Sequence, residues 1–457
     1  MNRRKTMILN KKVYMIFVFM LTLSMLLAGC AKVEEPQPTE VEVPEEIATE
    51  VEVPEEVATE VEVPEEVEVV EPVTISFWHT MSEPEMEQLA KVVAIFEAEN
   101  PNIKVEILNV PYDEFRRKLI TSMAGGTAPD LIRSDIIWVS EFAYMGALAK
   151  LDEVMPDFDT YKEAVFPGPL STTYFRGHYY GLPLNTNTRI LVYNIQMFKD
   201  AGIEAPPATM EEFLVACEKI NALGDDKYCF ADGGTYAWAV NPWIWSFGGD
   251  VTDEDITVAS GYLNGENTQV AYEYLKNLVD LGYMHPGILG GGVDAWGGFG
   301  NNEIAMLLEG PWFTPFFGGT LGIDYGYAPM PAGSGGSISV VGGEDIVMFQ
   351  QSQHKEEAAK FIRFMLSEET QITMAEGGLI PVIKSALDTD FIKNHVYFGY
   401  FLEQLKTAKA RTPHPNWTKI EDIYNLAGGE FLTGEKSFKD AFDAVAETID
   451  GLLVLPE

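Results

Sequence analysis

From Val73 the chain alternates apolar and polar positions through Trp78, which predicts a first strand. Pro84 to Glu99 then places Met86, Leu89, Ala90, Val93 and Phe96 on one helical stripe, and Asn100-Pro101 stops it. Ile103 to Val110 reads as a second strand and Tyr112 to Met123 as a second helix. Gly125-Gly126-Thr127-Ala128-Pro129 is a turn, and Asp130-Leu131-Ile132 opens another short strand. Strands alternating with amphipathic helices imply parallel βαβ units and an α/β fold. Ligands of such sheets lie beyond the carboxyl ends of the strands, here near Trp78, His79 and the Ser134-Asp135 stretch.

The apolar run Val13 to Leu27 has a different character. Five positive charges precede it, and it is short for a membrane-spanning helix, so it reads as a secretory signal. It ends in Leu27-Ala28-Gly29-Cys30, which resembles the lipobox of bacterial lipoproteins. That resemblance implies cleavage after residue 29 and lipidation of Cys30, hence an extracytoplasmic protein anchored to the cell membrane. The alternative is an ordinary signal with a chance cysteine. Residues 30–72 then repeat Thr-Glu-Val-Glu-Val-Pro-Glu-Glu from Thr39, Thr49 and Thr59. With 16 Glu, one Lys and no aromatic between Ala31 and Pro72, this segment cannot offset its ordering entropy by burial. It is expected to be a stretched acidic tether.

Charge changes the picture further. The chain carries a formal -39, and removing the leader and the tether still leaves residues 73–457 at about -29. Such a surface repels phosphate backbones, so nucleic acid is not an expected partner. Apolar residues at 46% allow sizeable folded cores. Three cysteines exclude a disulfide-built scaffold and a four-cysteine zinc site. The six histidines are scattered, and no nucleophile elbow, Walker loop or zinc helix occurs. No catalytic residue, cofactor or metal is expected.

Several segments together resemble the bacterial extracellular solute-binding proteins, family 1, the maltose-binding-like components of ABC importers. They are Phe77-Trp78-His79, Phe96 to Val105, Gly125 to Leu131, Tyr180-Gly181-Leu182-Pro183 with Leu191 to Asn194, Thr209 to Phe213, Ala305 to Trp312, and Lys355 to Phe361 with Gly377 to Pro381. Each is loose, but they run in the family's order from about residue 75 to 450. The resemblance implies a two-lobed periplasmic-binding-protein-like fold of type II with ligand held between the lobes. Lobe one would be 73–185 plus 343–380, and lobe two 186–342 plus 381–457. It also implies a monomer that delivers a carbohydrate, expected to be an oligosaccharide, to permease subunits.

Eight Trp and 19 Tyr suit that expectation, because sugar rings present C–H faces to aromatic planes and hydroxyl edges to planar polar groups. The resemblance places Trp312 as a stacking platform, the alternative being a core tryptophan, and Trp238 with Asn241 as another aromatic and polar pair. Asn185 and Asn187 follow the Leu-Pro turn; Asn187 stands where maltose-binding relatives carry an acid. Trp78 and His79 end the first strand, and His79 either contacts a hydroxyl or stabilises a turn. Asp135 is a candidate acceptor, whereas Asp130 holds the turn. Gly342-Gly343 suits a hinge or a close backbone approach, with Glu344 in reach of ligand. Trp417 is a further aromatic candidate, although its local motif differs. Cys217 and Cys229 are either bridged or two buried thiols. Two other readings stay open: a secreted glycoside hydrolase, and a binding protein for a polyol, peptide or polyamine.

Overall fold

The computed structural model describes residues 72–290, 294–317 and 319–456. The signal segment, Cys30 and all of the tether except Pro72 lie outside them, as do Gly291 and Gly292.

Strand β1 (Val73–His79) buries Ile75 and Phe77 by simple alternation. Ser82 and Glu85 form a capping box that starts α1 (Glu83–Glu99), whose stripe Leu89, Val92, Val93 and Phe96 turns inward. Strand β2 (Ile103–Asn109), helix α2 (Tyr112–Ala124), strand β3 (Leu131–Asp135) and helix α3 (Ile136–Tyr144) follow. β1 runs parallel to β2 on one side and to β3 on the other, as the alternation of elements predicts.

The chain continues through β4 (Gly181–Thr188), β5 (Ile190–Asn194), α4 (Met210–Asn221), β6 (Tyr228–Ala231), α5 (Ala237–Ser246) and α6 (Glu266–Asp280). Then come β7 (Ile304–Glu309), β8 (Tyr325–Ala328), β9 (Val340–Met348), α7 (Lys355–Met365) and α8 (Glu368–Ala375). It closes with β10 (Lys409–Ala410), α9 (Trp417–Leu432) and α10 (Phe438–Leu453).

Among the described residues these strands form two main sheets. The first has the order β10-β9-β3-β1-β2, with β4 on the other edge of β9; the second has the order β8-β5-β7-β6. The chain leaves the first sheet at Arg189, between β4 and β5, and returns between β8 and β9. These crossings break the parallel pattern. β9 is antiparallel to β3 and β4, and β5 is antiparallel to β7 and β8, because strands that cross between lobes enter each sheet from its far end.

Each lobe has an aromatic centre. In the first, Phe361 of α7 meets Phe77 at 5.5 Å and Phe96 at 5.1 Å between ring centroids. In the second, Phe213, Phe230 and Trp243 pack edge to face within 5.8 Å. Burying each such ring contributes roughly 1.5–3 kcal/mol. Cys217 on α4 and Cys229 on β6 are joined by a disulfide beside this cluster, with their Cα atoms 4.8 Å apart.

Candidate functional site

A cavity of about 350 Å³ opens in the second lobe between the ends of β6 and β7 and the start of α5. Trp238, Trp296, Trp312 and Tyr236 form its aromatic walls, and Arg189, Asp232, Asp294 and Glu309 carry its charged groups. Trp312 folds back over Gly310, where any Cβ would meet the indole at 2.2 Å. Trp238 is aimed by its helix start: the Glu421 carboxylate of α9 accepts from the Ala237 N–H at 2.9 Å, satisfying an otherwise orphan donor. The Trp238 and Trp312 rings lie 6.1 Å apart and 32° from parallel. On the far side, Gly342 of β9 lets Asn187 and Trp238 approach the backbone closely; a Cβ there would meet Asn187 Oδ1 at 2.1 Å.

The ionised groups are arranged around three arginines. Arg133 sits inside the wholly buried β3, 2.7 Å from Glu344 and 3.5 Å from Glu85. Arg189 pairs with Asp232 at 2.9 Å and also feels the charge of Glu309, which accepts from Trp296 Nε1 at 2.6 Å. Arg411 lies 3.2 Å from Asp135 and feels Glu421, and its guanidinium stands 5.3 Å over the Trp238 ring. Each arginine therefore faces two carboxylates. Burial pushes Glu309, Asp232 and Glu421 upward in pKa while their arginines pull them down. Glu344 is pushed up to about 7 by burial, against the pull of Arg133. Flat ring faces bordered by fixed donors and acceptors can hold a ligand with apolar faces and hydrogen-bonding edges. Asn187 Oδ1 and Arg411 Nε have no hydrogen-bond partner among the described residues.

The structure brings Trp238, Trp312, Asn187, Asn185, Asp135 and Glu344 into this region. Asn185 Nδ2 donates to Glu344 at 2.7 Å. Asp135 caps α3 and accepts from Tyr112 Oη at 2.8 Å, so its carboxylate already has three partners.

Four candidates fall elsewhere. His79 is 1% exposed, and its Nδ1 faces the Met81 N–H at 3.1 Å and the Asn109 amide. It stabilises the turn, and burial lowers its pKa to about 4, so it stays neutral. Trp78 alternates to the opposite face of β1, where Lys118 Nζ lies 4.9 Å over its ring. Asn241 is fully buried one turn beyond Trp238 on α5 and accepts from Tyr424 Oη. Trp417 is 1% exposed: it begins α9, and the packing of that helix carries it into the core. Asp130 does more than hold a turn, for it accepts from Ser76 and Ser352 and so ties three segments together.

Sequence pattern singles out none of Arg133, Arg189, Arg411, Tyr236, Asp232, Glu309 and Glu421 as ligand contacts. A signal existed for Arg133, a charge set inside an apolar strand pattern, where burial requires a partner. Arg411 gives none, because it follows a two-residue strand too short to show a period.

Two α/β lobes linked by crossing strands, with an aromatic and ionised recess in the second, are the architecture of a solute-binding protein. The chain belongs to the bacterial extracellular solute-binding protein family, whose profile matches residues 82–372, and it is of the ABC-importer type. Members of this family bind substrates and are not enzymes. The chain is 29% identical over 392 residues to a binding protein of Brucella abortus (strain 2308), covering 83% of this chain and 92% of that one. It is 26% identical to the maltotriose-binding protein of Pyrococcus abyssi, over 71% and 70% of the two chains. The solved GacH receptor of Streptomyces glaucescens GLA.O, described unliganded and with acarbose, superposes with a TM-score of 0.75 at 25% identity, covering 84% and 98%.

Proposed function

We propose that this protein binds an extracellular oligosaccharide between its lobes and delivers it, unaltered, to the permease of an ABC importer. The Trp238–Trp312 pair carries the reading. Two half-buried indoles line one cavity, with the Arg189 guanidinium and the Asp232 and Glu309 carboxylates beside them and the Arg411 guanidinium over the Trp238 ring. A pyranose stacks its C–H face on such a ring and turns its hydroxyls to the polar rim. The cavity volume falls within the roughly 300–1,000 Å³ range of small-molecule sites. The maltotriose named for one relative and the acarbose of the GacH complex belong to the same chemical class. Ligand would bind one lobe, and closure would add contacts from Asn185, Asn187 and Glu344 on the other. Cys30, lipidated, would anchor the protein to the membrane through the acidic tether.

Calorimetry against mono- and oligosaccharides tests the reading. Trp312→Ala should weaken binding by about 2–4 kcal/mol, the effect of truncating an anchor. Unchanged affinity in a folded variant would remove Trp312 from the site.

The excess of carboxylates over arginines favours one second reading, a cationic ligand such as a polyamine. Competition by spermidine that a neutral oligosaccharide cannot match would support it.

A further inference from the structure

A second cavity, of about 480 Å³, lies at the other end of α5. Trp245, Asp250, Tyr262, Glu266, Asn267 and Lys409 line it, over a floor of glycines. It shares no lining residue with the first cavity. Its walls are built rather than incidental. Trp245 Nε1 donates to Asp250 at 2.8 Å, Lys409 Nζ pairs with the same carboxylate at 2.5 Å, and that ammonium stands 5.5 Å over the Trp245 ring. Asn267 Nδ2 donates to the Gly248 carbonyl at 3.0 Å, which fixes the amide at the rim. Tyr262 leaves 43% of its surface exposed there, and the Glu266 carboxylate has no ion-pair partner among the described residues.

The chemistry selects a ligand class. Lys409 is matched by Asp250, so no cation is free to attract an anion. An exposed ring, a free carboxylate and a held amide offer one flat face and several hydrogen-bonding edges. We propose that this cavity is a second saccharide-binding site, distinct from the first cavity in every residue that lines it. The proposal rests on the reading of the protein as a carbohydrate binder, but uses none of the cleft residues.

The two sites are nonetheless joined. Trp238 and Trp245 are seven residues apart and share a face of α5, while Lys409 opens β10 and Arg411 follows its last residue. The result is a two-rung ladder, Arg411 on Trp238 and Lys409 on Trp245. A signal at Trp245 must therefore be separated from one transmitted along the ladder.

The test uses the full chain labelled with 5-fluorotryptophan. The Trp245 and Trp312 fluorine resonances are assigned by Trp→Phe variants and titrated with glucose, maltose and maltotriose up to their solubility limits. The expected result is a saturable Trp245 shift that persists in Trp312→Ala. Tyr262→Ala, an exposed position where folding is not at stake, should weaken that shift about tenfold or more and leave the Trp312 titration unchanged. A stationary Trp245 resonance overturns the second site, as does a Trp245 shift lost in Trp312→Ala or indifferent to Tyr262→Ala. A stationary Trp312 resonance is a separate outcome, which counts against the cleft reading alone.

Discussion

Glu344 shows how little charge type alone says about a side chain. Its carboxyl is raised from 4.5 to about 7 because burial penalises the ion, with Arg133 opposing. A raised carboxylate destabilises the folded state once ionised, so the penalty is absent below about pH 4.5 and complete above about pH 7. Glu344→Gln does not titrate. Relative to wild type it should therefore gain melting temperature as pH rises through that window, by an amount equivalent to at most about 3 kcal/mol. A difference that stays flat with pH in thermal unfolding would contradict the shift. At this scale the sequence identified residue types but not their surroundings. Trp312 and Trp417 are the same side chain after similar proline-bearing turns. One borders a cavity and the other is core, because only the packing of α9 decides which way Trp417 turns.

Elements were far more legible. The alternation of β1, the stripe of α1 and the Thr209 cap of α4 are local patterns, and local physics sets them. Strand direction was legible only for β1, β2 and β3, where successive βαβ units follow one another. Where the chain changes lobe, direction depends on which sheet receives the strand. The disulfide belongs to this scale too, since it ties α4 to β6, and β6 runs directly into Asp232 of the cavity. Replacing Cys217 and Cys229 with serine should cost about 2–3 kcal/mol in denaturant unfolding. In denatured, unreduced wild-type protein, thiol titration should find neither cysteine reactive; two reactive thiols there would contradict the bridge.

For the whole molecule, the proposed lipidation at Cys30 carries a direct expectation. The wild-type protein expressed in its host should partition into the detergent phase of a Triton X-114 separation, and Cys30→Ser should remain aqueous. Equal partitioning would exclude the anchor. The sequence by itself determined the acidic repeat, the α/β class and the order of family motifs. These follow from composition and short-range periodicity, which survive without knowledge of the fold. Only the tertiary structure decided which aromatics face the recess and which carboxylates share an arginine. Arg133, Arg189 and Arg411 are far apart in the chain, and they meet their ion-pair partners from separate elements, 43 to 276 positions away. Burial is a property of that assembly, and so is every charge shift that depends on it.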